Sequence, residues 1–250
     1  MQTEFISNNA YMVKRIDAKD AREIVKKYHY SGKVVANSNL HLGVFNLDGV
    51  LVGCLQFGPP MNGNKTSLKL SDSLPMLELN RMVMADSEPR NSESMAISLC
   101  LKFLRRFTDC QWVLSFSDGK ENNVGYIYQA TNWQYLGYML SDSFYRLDGN
   151  YMHNVSVWHR YKEKHPDRDV KTTDQILCDN FKDISKVTCK QHIYVMPVAK
   201  RVAFKFTPKP YPKKDTEVAV VKEVFLKMAG NVLEKKQVAL HSEEVLCPII

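Results

Sequence analysis

Six apolar residues, Ala96, Leu99, Cys100, Phe103, Leu104 and Phe107, constrain this chain more than any other feature. They recur at i, i+3, i+4, i+7, i+8 and i+11, so they line one face of a helix that must be buried against a second layer. The runs on either side have strand character. Leu77 to Met84 precedes the helix, with Leu77, Leu79 and Met82 assigned to its buried side. Trp112, Val113, Leu114 and Phe116 follow it and stop at the turn formers Ser117-Asp118-Gly119. Asn91 or Ser92 suits the helix N-cap.

The remaining elements extend this strand, helix, strand unit. Tyr11 to Ile16 reads as a short strand, and Asp17 caps a helix whose apolar positions are Ala21, Ile24, Val25 and Tyr28, ending at Gly32. His41 to Asn46 and Val50 to Phe57 flank Leu47-Asp48-Gly49, a hairpin signal. The stretch from Gly58-Pro59-Pro60 through Ser73 has no periodicity and reads as a loop at a site rim. Val124 to Tyr135 is aromatic and amide-rich, and with Gly137 as its stop it reads as a helix. Tyr138 to Leu140 and Met152 to Trp158 read as strands around Asp148-Gly149-Asn150. The expected fold class is α/β (α+β), with a mixed, mostly antiparallel central sheet flanked by helices and a basic, β-rich C-terminal extension. Residues 1–160 would form the main domain, 161–186 a charged linker with a short helix from Thr173 to Phe181, and 187–250 the extension.

Charge sharpens that division. Of the formal +7, residues 1–159 hold 16 Lys and Arg against 15 Asp and Glu, whereas 160–250 hold 18 against 12. A nearly neutral front and a basic rear fit chemistry in the first and polyanion attraction in the second, or simply a solvated lysine-rich surface. In the rear, Pro208, Pro210 and Pro212 hold an extended segment that presents Lys205, Lys209, Lys213, Lys214 and Tyr211, either as a comb for nucleic acid or as a linker. The six cysteines form no CxxC pair, and no window reaches the apolar length of a membrane span. The expectation is an intracellular protein with free thiols, and no membrane partner.

Two places gather chemistry-bearing side chains. Asp118 stands at a strand tip that faces phenols and amides, a geometry shared by active sites and ordinary loops. Tyr28-His29-Tyr30-Ser31 bunches rings where a helix gives way to a loop; His29 there either answers the helix dipole or serves as a base or metal ligand. Arg90 and the first turn beyond Asn91 offer backbone N–H groups suited to an anion, although no glycine-rich loop makes the signal specific.

The strand and helix order resembles the GCN5-related N-acetyltransferase (GNAT) fold, in which acyl-CoA lies in a split between two central strands. The glycine-rich pyrophosphate loop of that superfamily is absent at Ala85–Ser94, and Trp133 stands where a tyrosine is frequent. A narrower resemblance covers roughly residues 11 to 160. Glu78-Leu79-Asn80-Arg81, Pro89-Arg90-Asn91-Ser92-Glu93-Ser94, Ser115-Phe116-Ser117-Asp118 and Gly125-Tyr126-Ile127-Tyr128-Gln129-Ala130-Thr131-Asn132-Trp133-Gln134-Tyr135-Leu136-Gly137 look like the phage Mom family. That resemblance implies a phage enzyme of the host cytoplasm that modifies adenine in double-stranded DNA and so evades restriction. It implies transfer of an acetyl-CoA-derived, carbamoylmethyl-type group to adenine N6. Iron is associated with the family, with its ligands here unknown. Carried over by motif, Arg90, Asn91, Ser92 and Ser94 would hold the CoA phosphates. Arg81, Asp118 and Tyr128 would lie at the reacting end, with His29 across the cleft. The alternatives are a GNAT-type enzyme acylating a protein or small amine, and a non-catalytic DNA-binding protein. The oligomeric state is not legible, a homodimer being one option.

Overall fold

The structure, a computed structural model, describes residues 4–29, 35–60, 69–118, 123–214 and 220–241. Tyr30, Ser31, Gly32, Gly119, Cys247 and most of the loop after Pro60 lie outside the described residues. In chain order the elements are β1 (Phe5–Ser7), β2 (Met12–Arg15), α1 (Ala18–Tyr28), β3 (Leu40–Phe45), β4 (Leu51–Gly58), β5 (Met76–Met84), α2 (Ser92–Phe107) and β6 (Trp112–Asp118). There follow α3 (Tyr126–Ala130), β7 (Gln134–Leu147), β8 (Asn150–His153), α4 (Asn154–Val157), α5 (Thr173–Asn180), β9 (Ile184–Pro197), β10 (Val220–Met228) and β11 (Asn231–Leu240).

The strands form one sheet in the order β1-β2-β3-β4-β5-β6-β9-β10-β11, with β7 and β8 branching from β9. Among the described strands only β5 and β6 pair in parallel; every other pair is antiparallel. The mixed, mostly antiparallel sheet flanked by helices is thus the expected architecture. α1 covers one face of β4 and β5, packing Ala21, Ile24 and Val25 on Cys54 and Val83. The apolar stripe of α2 covers the opposite face, on Leu42, Val44, Leu55, Phe57 and Leu79. Burying a Leu or Phe side chain in such a layer contributes about 1.5–3 kcal/mol, so these two helices fix the sheet between them.

Three expectations fail for local reasons. The helix read from Val124 to Tyr135 is only α3, because Asn132 turns to φ 60° and the Trp133 N–H returns to Tyr128 O. Gly137 is no helix stop; it lies within β7 at φ 112°, beside a register shift that makes one residue more on β7 than on β9. The strand read from Met152 to Trp158 ends at His153, whose Nδ1 accepts the Val155 N–H and starts α4, which runs into a π-turn over Trp158–Lys162. By contrast, α5 is close to its expected span, held by a reciprocal capping box between Thr172 and Gln175.

Within the stretch read as a basic extension, β9 occupies the middle of the sheet. Along one edge it pairs with β7; along the other it pairs with β6 through Gln191–Pro197 and with β10 through Ile184–Cys189. Beyond it, Phe204 and Phe206 pack under Trp112, Leu114 and Ile193, and Lys209 bridges back to Tyr135. β11 alone in this stretch shows the exposed pattern of an outlying ribbon.

Candidate active site

The sheet opens between its two parallel strands. β5 and β6 pair only where Met76, Leu77 and Glu78 meet Trp112, Val113 and Leu114. Farther along, β5 stays with β4 as far as Met84 and β6 stays with β9 as far as Asp118, so Leu79–Met84 and Ser115–Asp118 share no ladder. Asn80 widens the divergence. It is an extra residue between the Phe57–Leu79 and Gln56–Arg81 pairs, and such a bulge increases local twist and re-aims side chains.

On the α2 side of this opening stands Tyr128, carried by α3. Its ring lies 5.1 Å from Trp133 and 5.1 Å from Tyr194, and Tyr194 stacks in turn on Tyr135 at 5.1 Å. Ser115 Oγ donates to Tyr128 Oη at 2.8 Å, so the phenol enters this bond as acceptor and its own O–H is not spent in it. Gln129 anchors α3 by donating to Val124 O and Tyr194 Oη, at 3.0 and 3.1 Å, and it also reaches Pro212 O. Gly125 starts α3 at φ 73°, where a Cβ would lie 2.7 Å from Tyr194 and 3.1 Å from Tyr128. A glycine is therefore required for the phenol to seat as it does. Trp133, 0% exposed, packs in the core beside Tyr128.

On the α1 side stand Arg81 and His29. Arg81 pairs across the ladder with Gln56, and Gln56 with His41, so the three share one face. The Arg81 guanidinium folds back to donate to Asn80 O at 2.8 Å. His29, half-buried at the end of α1, is pushed down to about 4 by burial and then by the Arg81 charge. It is therefore a neutral imidazole near pH 7. Alternation along β6 places Asp118 on this same side with Leu114 and Phe116, half-exposed at the strand tip. The structure thus sets Tyr128 on one face of the opening and His29, Arg81 and Asp118 on the other.

The four residues expected at the CoA phosphates divide. Asn91 caps α2 at φ 71° without a side-chain cap bond, and with Ser94, Ser98, Lys102, Ala130 and Thr131 it lines a groove of about 210 Å³ between α2 and α3. Ser92 is 2% exposed, its hydroxyl turned to Glu93 at 3.3 Å, and Arg90 is exposed outside the groove lining. Lys102, Ser98, Ser115, Tyr194, Gln56 and Asn80 had no role in the sequence reading. Ser115 and Asn80 lie inside the quoted motifs, whereas Tyr194 belongs to a strand whose central position has no local signal.

Among the described residues there is no group of three or more His, Cys, Asp or Glu side chains placed to hold a metal. Burial pushes the thiols of Cys54 and Cys110 up to about 12 and that of Cys100 well above its ordinary value, which leaves them without nucleophilic thiolate near pH 7. No helix among the described residues is long and apolar enough to cross a membrane.

The model of the Mom protein family matches residues 10–213. The methylcarbamoylase mom of Escherichia phage Mu is 43% identical over 140 residues, which make up 55% of this chain and 57% of that protein. The chain therefore spans a little over half the length of that relative. Among solved structures, a spermidine N-acetyltransferase from Vibrio cholerae is 7% identical with a TM-score of 0.46, covering 77% of this chain and 96% of its own. A GNAT-family acetyltransferase from Bacillus anthracis is 13% identical with a TM-score of 0.41, covering 78% and 99%. Both scores are below one half, and the fold rests on the strand pairing given above.

Proposed function

This chain belongs to the Mom protein family, and we propose that it is a transferase of phage DNA modification. In this reading it moves an acetyl-CoA-derived, carbamoylmethyl-type group to adenine N6 in double-stranded DNA, in the host cytoplasm. The observation that carries the reading is the two-faced opening between β5 and β6, with a phenol on one side and a neutral imidazole, a guanidinium and a carboxylate on the other. Two substrates can approach such an opening from opposite faces and meet within it.

The groove between α2 and α3 fits acyl-CoA on the Tyr128 side. It offers hydroxyls, the amides of Asn8 and Asn91, the Lys102 ammonium and the first-turn N–H groups of a long helix, with no carboxylate among its lining residues. Asn91 and Ser94 would hold phosphate there, helped by Lys102, and Arg90 would reach it from the rim, whereas the Ser92 N–H is already given to Pro89 O at 3.1 Å. When bound, the cofactor supplies an activated carbon and a thiol leaving group. Tyr128 would donate its proton to charge that develops on that side, steadied by Ser115.

Adenine N6 is a weak nucleophile because its lone pair is delocalised into the ring. His29 or Asp118 would take the proton it loses, and Arg81 would orient the nucleotide. Bringing N6 to the opening requires the base to leave the stack, which costs a few kcal/mol that basic and aromatic contacts offset. An acetyl thioester lacks the amide nitrogen of a carbamoylmethyl group, and joining its methyl carbon to N6 is a two-electron oxidation, so the full adduct requires an ammonia-level nitrogen donor and a two-electron oxidant as co-substrates, with CoA leaving as the thiol. The test is nucleoside mass spectrometry of DNA from cells that express the chain. A modified adenosine is expected; an unmodified adenine pool under confirmed expression rejects the reading. The rival acylation of a protein or small amine predicts no salt-sensitive binding to duplex DNA, and a non-catalytic binder predicts no heat of acetyl-CoA binding.

A further inference from the structure

Four buried side-chain polar atoms among the described residues have no hydrogen-bond partner: Asn37 Oδ1, Gln56 Oε1, Asn80 Nδ2 and Trp133 Nε1. Three of them fall in one patch. Gln56 is 0% and Asn80 8% exposed, and a polar atom left without a partner at such depth is destabilising. The side-chain bonds already made say which atom of each amide is left over. With His41 Nδ1 in its acceptor tautomer, Gln56 Nε2 donates to it at 3.1 Å and Oε1 is left as an acceptor. Ser38 Oγ donates to Asn80 Oδ1 at 3.0 Å, which leaves Nδ2 as a donor.

The two leftover atoms belong to neighbouring positions. Gln56 pairs across the ladder with Arg81, and Asn80 is the bulged residue beside that pair. Their surroundings are the α1 side of the opening, near His29. Gly58 continues the same row of β4, and a Cβ there would lie 2.8 Å from Asn80 Oδ1 and 2.2 Å from Asn37 O. Only a glycine at this position leaves room for the Asn80 amide beside β4. The Arg81 guanidinium lies beside this amide, donating to the Asn80 backbone carbonyl at 2.8 Å.

We propose that Asn80 and Gln56 are the residues that read the target base: Asn80 Nδ2 donates to a ring nitrogen, and Gln56 Oε1 accepts from the exocyclic amine beside it. The Watson–Crick edge of adenine presents that pattern, N1 as acceptor and N6–H as donor, and amide side chains are well suited to it. An acceptor on one N6–H also fixes the amine's rotation, so that its face is turned to the opening. This inference rests on the adenine reading above and adds the residues that choose the base.

The test uses the full chain and a short single-stranded oligonucleotide with one adenine in a thymine run, against the same strand with hypoxanthine, whose N1 is a donor and whose O6 is an acceptor. Fluorescence anisotropy gives the affinity ratio. Wild type is expected to favour adenine about tenfold, within the discrimination expected of paired base contacts. Asn80→Asp replaces the donor by an acceptor and is expected to erase or reverse that preference. Gln56→Met keeps the side-chain length without the acceptor and is expected to flatten it too, which covers the case in which the charged variant does not fold. Folding is verified by far-UV circular dichroism and a cooperative melt. An adenine preference unchanged in either folded variant, or absent from wild type, overturns the inference. If nucleoside mass spectrometry still finds modified adenosine in that case, the inference falls alone; if it finds none, the adenine reading falls with it.

Discussion

Ser115 Oγ and Tyr128 Oη are joined by a 2.8 Å hydrogen bond that ties the strand on one side of the opening to the helix beside it. The serine donates, so this bond holds the phenol in place without consuming its proton. Tyr128→Phe is expected to keep fold and DNA binding while lowering modification about 10²–10³-fold, the usual loss when one donor to a developing charge is removed. Ser115→Ala is expected to cost about 1 kcal/mol of stability and a smaller fraction of activity. Nucleoside mass spectrometry beside thermal melts separates the two effects. Normal adduct yield from the phenylalanine variant removes Tyr128 from the mechanism.

Asp118→Asn keeps the side-chain shape at the tip of β6 and removes the carboxylate. It is expected to fold, to bind DNA and to lose modification, as a proton acceptor must. Retention of full activity assigns proton transfer to His29 alone.

His29 gives a signed pH dependence. Its pKa is pushed from 6.5 down to about 4 in the folded chain, so between those values the unfolded state binds the proton more readily. Stability from this group is therefore complete above about pH 6.5 and is lost as the pH falls towards 4. His41, lowered by burial and then by the Arg22 charge, acts in the same direction. His29→Gln is expected to flatten the fall in Tm across this window. Arg81→Gln removes the second cause only and is expected to raise the His29 pKa towards 6.5, as read from its ring proton shift in a nuclear magnetic resonance titration.

Gly125 is the backbone condition for the phenol's seat. Gly125→Ala combines a positive φ with a Cβ 2.7 Å from Tyr194. It is expected to cost about 2 kcal/mol, a fall in Tm of roughly 4–8 °C for a chain of this size, together with a loss of activity. A melt within about 1–2 °C of wild type would contradict this account of the turn.

Cysteine labelling tests the packing. Cys54, Cys100, Cys110 and Cys189 are buried, whereas Cys178 is partly exposed and its thiol, although raised by burial, has Lys227 beside it. Among the described cysteines, brief alkylation of native protein is expected to mark Cys178 first, the others reacting only on unfolding. Peptide mass spectrometry gives the order.

What was legible in the sequence was what local spacing dictates. The stripe from Ala96 to Phe107 announced α2 and its burial, and Trp112 to Phe116 followed by turn residues put Asp118 at a strand tip. Aromatic residues suit helix and strand alike, and at Tyr135 that ambiguity misled the reading towards a helix. Only its pairing with Tyr194 on β9 decides for a strand, as pairing with His192 does for Tyr138. The bulge at Asn80 left a trace in the offset from Leu79 to Met82, an odd step on one buried face, and that trace can be recognised once the register is known. Tyr194 was beyond reach, because its neighbours Ser115 and Tyr128 stand far from it in the chain.

The central place of β9 also sets a timetable. Ribosomes add about 5–20 residues per second, and early segments fold as they emerge. Here the wall that backs Tyr128 is made by residues 184–197, inserted between strands synthesised much earlier. Until that segment leaves the ribosome, β6 and β7 have no shared partner, and the opening has only one finished side. Under the function proposed above, competence follows only once residues 184–197 have emerged and joined β6 and β7.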